Sequence, residues 1–343
     1  MFLQKLLLIA LAAIDLSLSQ TATIVFSGDG TSGQSENSTL QECTCVPRGT
    51  CPTGNNVGID IRIVNQGGQC SAGLVFCCMQ QSGSVTDGTC GIRKIELTPQ
   101  PTGQASFGAY PWQAALLTTS NSYIGSGVLI DSNHVLTAAH KVAAYAGGSF
   151  KIRLGEWDGQ VVSEMYPYQE YTPIRVFVHP NFNRQNLQND VAVIRLNAAV
   201  PISTSPHINT ACLPTTQVAA QTRCWVTGWG KNAFGPSGSY QSILREVDVP
   251  ILSQSDCEVR LRSTRLGQFF SLDTNSFICA GGEPGKDACT GDGGAPLVCR
   301  HDNGSWHVHG MVAWGIGCAN PGVPGVYVNV INFVSWINQQ RNL

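Results

Sequence analysis

Acyl transfer by a side-chain nucleophile needs a hydroxyl or thiol, an imidazole to take its proton and a carboxylate to hold that imidazole in place. The 343-residue chain offers the last two types in apolar settings. His140 closes Leu136-Thr137-Ala138-Ala139-His140, and Asp190 stands in Asn189-Asp190-Val191-Ala192-Val193-Ile194-Arg195-Leu196. A third stretch, Cys289-Thr290-Gly291-Asp292-Gly293-Gly294-Ala295-Pro296-Leu297-Val298-Cys299, is glycine-rich and sits between two cysteines. Its one hydroxyl belongs to Thr290, whereas Gly293 has no side chain. His307 and His309 share one face of a strand, but with no third ligand nearby in sequence they make a poor metal site.

The elements that position these residues are indicated by composition. A chain that is 43% hydrophobic, glycine-rich, only 12% charged and supplied with 14 cysteines reads as a secreted all-β protein with paired thiols. Its net charge of −2 argues against nucleic acid or an anionic membrane as partner. Residues 1–19, with Lys5, the apolar run Leu6 to Ile14 and Ser17-Leu18-Ser19 before Gln20, read as a signal peptide. That run is too short to span a membrane, and no other stretch reaches the length. A buried N-terminal helix is the competing reading, and the cysteine count speaks against it. Asn37 and Asn303 are glycosylation candidates.

Residues 20–42, rich in Ser, Thr, Gly and Asn, predict a flexible tail. Residues 43–78 hold Cys43, Cys45, Cys51, Cys70, Cys77 and Cys78 in a module too small for a core of its own, so disulfides must hold it. Spacing alone leaves all fifteen connectivities open. A zinc site is a weak rival, since no ligand-spaced histidine accompanies the thiols. Within the module Val57 to Val64 alternates as a strand with Ile59, Ile61 and Ile63 inward. Residues 79–106 read as a linker interrupted by Cys90-Gly91. Residues 107–343 form the main domain, ending in a helix over 332–341 with Phe333 and Ile337 one turn apart.

From Phe107 onward the motifs fall in one order. Pro111-Trp112-Gln113 precedes the His140 and Asp190 stretches; Cys224-Trp225-Val226-Thr227-Gly228-Trp229-Gly230, the loop about Gly293, Ala313-Trp314-Gly315 and Gly325-Val326-Tyr327 follow. This series resembles the trypsin-like serine proteases over about two thirds of the chain. The closing Cys77-Cys78 pair and the Ile59-Asp60-Ile61-Arg62 strand resemble the clip domain of arthropod proteases. The whole is similar to clip-domain serine protease homologs of the prophenoloxidase-activating-factor type. The resemblance implies an all-β fold of two six-stranded antiparallel β-barrels with a short C-terminal helix, preceded by a small disulfide-rich clip domain. It implies the pairs Cys43–Cys77, Cys45–Cys70 and Cys51–Cys78 in the clip module. In the rest of the chain it implies Cys90–Cys212, Cys224–Cys299, Cys257–Cys279 and Cys289–Cys318. Gly125 and Lys141 occupy the two positions of a further bridge that usually flanks the histidine, so its loss leaves no stray thiol.

By the same resemblance His140 and Asp190 are triad remnants and Gly293 replaces the nucleophilic serine. Without a hydroxyl no acyl-enzyme can form, and loss of a triad serine costs about 10⁶ in turnover. Ala313 replaces a serine that usually supports the aspartate. His140 and Asp190 are expected to persist as a hydrogen-bonded pair, costly to break. Asp287, with Gly315 and Gly325, matches the base and walls of a pocket for Arg or Lys; an open pocket and a collapsed one with a solvated relic both fit. The usual activation start falls at about Pro99, with no basic residue before it, so Asp292 lacks a new ammonium to pair with. Cleavage by another protease is expected at Arg62, with Arg93 and Lys94 as further candidates; the polar face of a strand is the plainer reading of Arg62. Glu156, Asp158 and Glu164 sit where the family often has a calcium loop, and either Ca²⁺ or a solvated acidic loop fits.

What the resemblance implies in function is a secreted haemolymph protein with no catalytic cofactor. It would act as an adaptor beside prophenoloxidase and an activating clip-domain serine protease, with oligomerisation after cleavage. A decoy that restrains the same cascade and a microbial recognition or adhesion protein are the alternatives. An active protease is the least favoured.

Overall fold

The computed structural model describes residues 24–27, 43–47, 74–78, 90–145, 149–235 and 237–343. They divide into two units. The smaller contains one described hairpin, Cys43–Pro47 (β1) antiparallel to Leu74–Cys78 (β2), in the register Cys43 opposite Cys78 and Cys45 opposite Phe76. The strand expected over 57–64, Arg62, Asn37, residues 1–19 and the clip disulfides lie outside what is described.

The larger unit is built from two curled antiparallel sheets. The first contains Gln113–Thr118 (β3), Tyr123–Asp131 (β4), His134–Thr137 (β5), Phe150–Leu154 (β6), Gln169–Tyr171 (β7), Pro173–Val178 (β8) and Ala192–Leu196 (β9), in the order β7-β6-β3-β4-β5-β9-β8. The second contains Arg223–Gly228 (β10), Arg245–Pro250 (β11), Phe277–Gly281 (β12), Pro296–Arg300 (β13), Trp306–Trp314 (β14) and Pro324–Asn329 (β15), ordered β11-β10-β13-β14-β15-β12. One sheet is therefore six-stranded as expected, and the other gains the three-residue edge strand β7. Strands β3, β5 and β12 are buried nearly throughout rather than alternating, as happens where both faces of a curled sheet are covered. Trp112, Trp229, Leu116, Leu129 and Leu136 are among the wholly buried side chains.

Three α-helices, Ala139–Val142 (α1), Gln254–Arg262 (α2) and Val334–Arg341 (α3), and three short 3-10 turns complete the described residues. Ser253 caps α2, its Oγ accepting from the Asp256 N–H at 3.1 Å. Helix α3 buries Ile337 and follows buried Phe333, so the spacing of those two residues does set its inner face. Disulfides join Cys90–Cys212, Cys224–Cys299, Cys257–Cys279 and Cys289–Cys318, and no cysteine is free among the described residues.

Two boundaries shift from the sequence reading. Residues 24–27, placed in a flexible tail, are packed: the Tyr123 N–H donates to the Ile24 carbonyl (2.9 Å) and the Phe26 N–H to the Asn121 carbonyl (2.8 Å). The Phe26 ring is 1% exposed, stacked on Tyr123 at 5.6 Å and edge-on to Trp229 at 5.5 Å. Burying such a ring is worth about 1.5–3 kcal/mol, enough to hold four residues of an otherwise polar stretch. The linker likewise ends early. From Cys90 the chain lies on the larger unit, with the Gly91 N–H donating to the Thr210 carbonyl, the Trp306 N–H to the Gly91 carbonyl, and Ala105 fully buried.

Candidate functional site

His140 is carried by α1, the turn that follows β5, and Asp190 by the approach to β9, which pairs with β5. That pairing brings them together across fifty residues. Nδ1 of His140 lies 2.6 Å from Oδ2 of Asp190, and the His140 N–H donates to Oδ1 at 2.7 Å. The Asp190 side chain is fully buried while the imidazole is 25% exposed. The loop bearing Gly293 is pinned between the sheets: the Ser126 N–H of β4 donates to the Gly293 carbonyl (3.2 Å), and the Gly294 N–H donates to Val312 of β14 (2.9 Å).

A Cβ built on Gly293 would lie 2.7 Å from the free Nε2 of His140, so position 293 does face the imidazole. It would also overlap Cε of Lys141 and come within 3.1 Å of its Nζ. The same lysine stem borders Gly125, where a Cβ would meet Cδ at 3.1 Å and Cε at 3.0 Å. Two glycines thus open one channel, and the Lys141 side chain runs along it into the room a nucleophile's side chain would need. Burial lowers the Lys141 pKa, partly offset by the negative charges of Asp292 and Asp190. Asp292 is itself buried and pushed up to about 6, although the N–H groups of Cys289 and Gly230, both 2.9 Å away, favour its charged form.

Beside this wall opens a cavity of about 190 Å³ whose lining includes His140, Lys141, Gly293, Asp287, Gly325 and Tyr327. The Asp287 carboxylate accepts the Ala319 N–H at 3.0 Å and is pushed up to about 6 by burial. Gly315 also lines the cavity, and Gly325 keeps its wall low, since a Cβ there would stand 3.1 Å from Asp287 Oδ1.

Residues 101–337 match the family described as Trypsin. The chain is 48% identical over 331 residues to "Inactive CLIP domain-containing serine protease A3" of Aedes aegypti, covering 90% of this chain and 68% of that one. It is 43% identical over 254 residues to "Phenoloxidase-activating factor 2" of Galleria mellonella (69% and 82%), and 39% identical over 228 residues to "Trypsin-3" of Salmo salar (66% and 86%). The chain belongs to the trypsin family. Within it, the chain is a clip-domain serine protease homolog, similar to relatives named inactive.

The homolog distributes its other candidate residues more widely. Arg93 donates from Nε to the Ala109 carbonyl (2.7 Å) and lies over the Trp306 ring at 4.5 Å; Lys94 donates to the Ile202 carbonyl (2.5 Å). Both basic side chains are held against the domain. Pro99 is exposed at the surface, whereas Asp292 is buried. Asn303 is exposed in the turn between β13 and β14, its Oδ1 accepting from the Ser305 N–H (3.0 Å) and hydroxyl (2.6 Å).

The acidic loop turns its carboxylates onto the protein's own donors, and Glu156 and Glu164 share the Trp157 N–H (3.0 and 3.2 Å). Glu156 is buried against Arg153 (2.7 Å), Asp158 accepts the Gln160 N–H (3.1 Å), and Glu164 accepts the N–H groups of Trp157 (3.2 Å) and Asp158 (2.7 Å). His307 and His309 do gain a neighbour, His301, whose Nε2 lies 3.1 Å from that of His309. Even so, no group of three His, Cys, Asp or Glu side chains among the described residues is arranged to hold a metal ion. No helix among them is long and apolar enough to cross a membrane.

Sequence reasoning identified Gly125, Lys141 and Gly293 separately but not their shared channel. The available signal was a lysine beside the site histidine in a chain with glycine at both 125 and 293. Phe26 was missed as well, although Ile24-Val25-Phe26 is the one apolar run at the head of the tail.

Proposed function

We propose that the chain is a secreted, non-catalytic cofactor in an arthropod innate immune protease cascade, promoting prophenoloxidase activation and melanisation after being cut itself. The observation that carries this reading is the site. A glycine stands where a side chain would face His140, and a lysine occupies the room that side chain would take. With the nucleophile's place held by Gly293, binding is what remains for the domain to do. The likeness to a protein named phenoloxidase-activating factor 2 supports the pathway. The partners in this reading are prophenoloxidase and an activating clip-domain protease, the location is haemolymph, and oligomerisation follows cleavage.

Cleavage is placed at Arg62 rather than at Arg93 or Lys94, because the latter two side chains are held by the Ala109 and Ile202 carbonyls and a protease would have to lift the segment. Disulfides in the clip module would keep both pieces attached. No catalytic cofactor enters this reading.

The test is a reconstitution of purified prophenoloxidase with its activating protease, with and without the full chain. Phenoloxidase output should rise, and the rise should vanish in Arg62→Ala. A fall in output would make the protein a decoy of the same cascade. An unchanged output would end the melanisation reading in favour of microbial recognition.

A further inference from the structure

The cavity carries opposite charges that do not neutralise each other. Among the described residues Lys141 Nζ makes no hydrogen bond, and the ion pairs within 4 Å include none between Lys141 and Asp287. The two carboxylates that act on the Lys141 charge are otherwise engaged, Asp190 by His140 and Asp292 by the Gly230 and Cys289 N–H groups. At the other end of the cavity, the Asp287 carboxylate is engaged by the Ala319 N–H rather than by a cation. The site therefore presents an ammonium beside His140 and a carboxylate beside Gly325.

From this arrangement we infer that the cavity is a receptor for arginine or lysine bearing a free α-carboxylate, the basic side chain directed to Asp287 and the carboxylate to Lys141. A carboxylate adjacent to a basic residue arises at the new carboxyl terminus whenever a bond after Arg or Lys is cut. The cavity would thus bind the product of such a cleavage and discriminate against the intact chain, whose carbonyl at that position is an uncharged amide. A peptide is favoured over the free amino acid, whose α-ammonium would be brought near the Lys141 ammonium at a like-charge cost. The inference stands apart from the cascade role: it concerns which ends of cut chains the domain holds, whatever pathway cut them.

The test uses the full-length protein and a fluorescent pentapeptide ending in arginine, as free acid, as carboxamide and with glutamine in place of arginine, read by anisotropy. The acid should bind, the amide roughly ten- to hundredfold more weakly, the range of one lost charged hydrogen bond, and the glutamine peptide not measurably. Lys141→Met should bring acid and amide to equal affinity, while Asp287→Asn should weaken both. Unchanged thermal unfolding of each variant, checked alongside, separates these effects from misfolding. N-acetylarginine should compete and free arginine should compete less well, which distinguishes a chain end from the amino acid. Equal binding of acid and amide by the unmodified protein would reduce Lys141 to a space-filling side chain and overturn the inference, as would failure of all three peptides to bind.

Discussion

Two walls meet at the cavity. On one, His140 and Asp190 remain 2.6 Å apart with the carboxylate sealed from water. On the other, Gly125, Gly293 and the Lys141 stem have rebuilt the surface. The difference follows from what each change costs. Removing the imidazole would strand a buried carboxylate, whereas removing a serine hydroxyl leaves only a small void. A lysine can fill such a void with its methylenes while its ammonium reaches a polar opening. Retention on the first wall therefore says little about catalysis, and replacement on the second says much.

The largest effect is expected on the retained wall. His140→Ala should destabilise the protein by about 2–3 kcal/mol in urea unfolding, less than the full value for a broken buried pair because the imidazole is partly exposed. A neutral result would mean that stability does not explain the pair's persistence. The refilled wall should respond to the opposite kind of change. Gly293→Ser should cost about 1–3 kcal/mol, the range of overpacking, because its Cβ meets the Lys141 stem. It should leave hydrolysis of an arginine ester undetectable. Adding Lys141→Ala should recover most of that loss, so the two substitutions would be strongly non-additive in a double-mutant cycle. Additive costs would place Lys141 outside the channel.

The third effect lies at the far side of the cavity and depends on pH. Asp287 is pushed up to about 6 in the folded protein by burial, with the charge of Asp292 adding to it, against an ordinary value of 3.8. Between roughly pH 4 and 6 the folded chain keeps a proton that the unfolded chain has shed, so stability falls as pH rises through that window. Tyr327 also faces Asp287 but stays neutral there, its own pKa being raised by burial. Asp292, likewise pushed up to about 6, contributes a fall of its own. The measurement is therefore the difference between the unmodified protein and Asp287→Asn, which should shrink as pH drops from 6 to 4. A difference that stays flat would mean that water reaches Asp287 freely.

Much of this was legible in the sequence, for reasons that also mark where legibility stops. The His140 and Asp190 stretches are strand ends whose apolar neighbours fix them in the core, so order and spacing carry their geometry. The four disulfides of the larger unit join cysteines whose family partners are all present. By contrast, the route of the Lys141 side chain depends on voids at 125 and 293, positions brought together only by the contact of β4 with the β12–β13 loop. The anchoring of Phe26 depends on a hollow between Tyr123, Trp229 and Gly159 that no local pattern announces. Local periodicity finds elements, and it does not find what fills the space between them.

The smallest expected effect concerns the acidic loop, where the same logic of replacement applies. The Arg153 guanidinium, fully buried, is 2.7 Å from both Glu156 and Glu170, so a cation already lies among the carboxylates. Glu164 is pushed up to about 8, chiefly by burial, with the charges of Glu156 and Asp158 adding to it. Burial thus favours its protonated form, which is a poor ligand for Ca²⁺. Calcium or a chelator should therefore leave Tm unchanged. In Arg153→Met, which removes the resident cation and leaves Glu156 buried without its partner, calcium should instead raise Tm. A calcium-dependent rise in Tm of the unmodified protein would show instead that the loop opens, exchanges its guanidinium for the ion and belongs with the metal-binding members of the family.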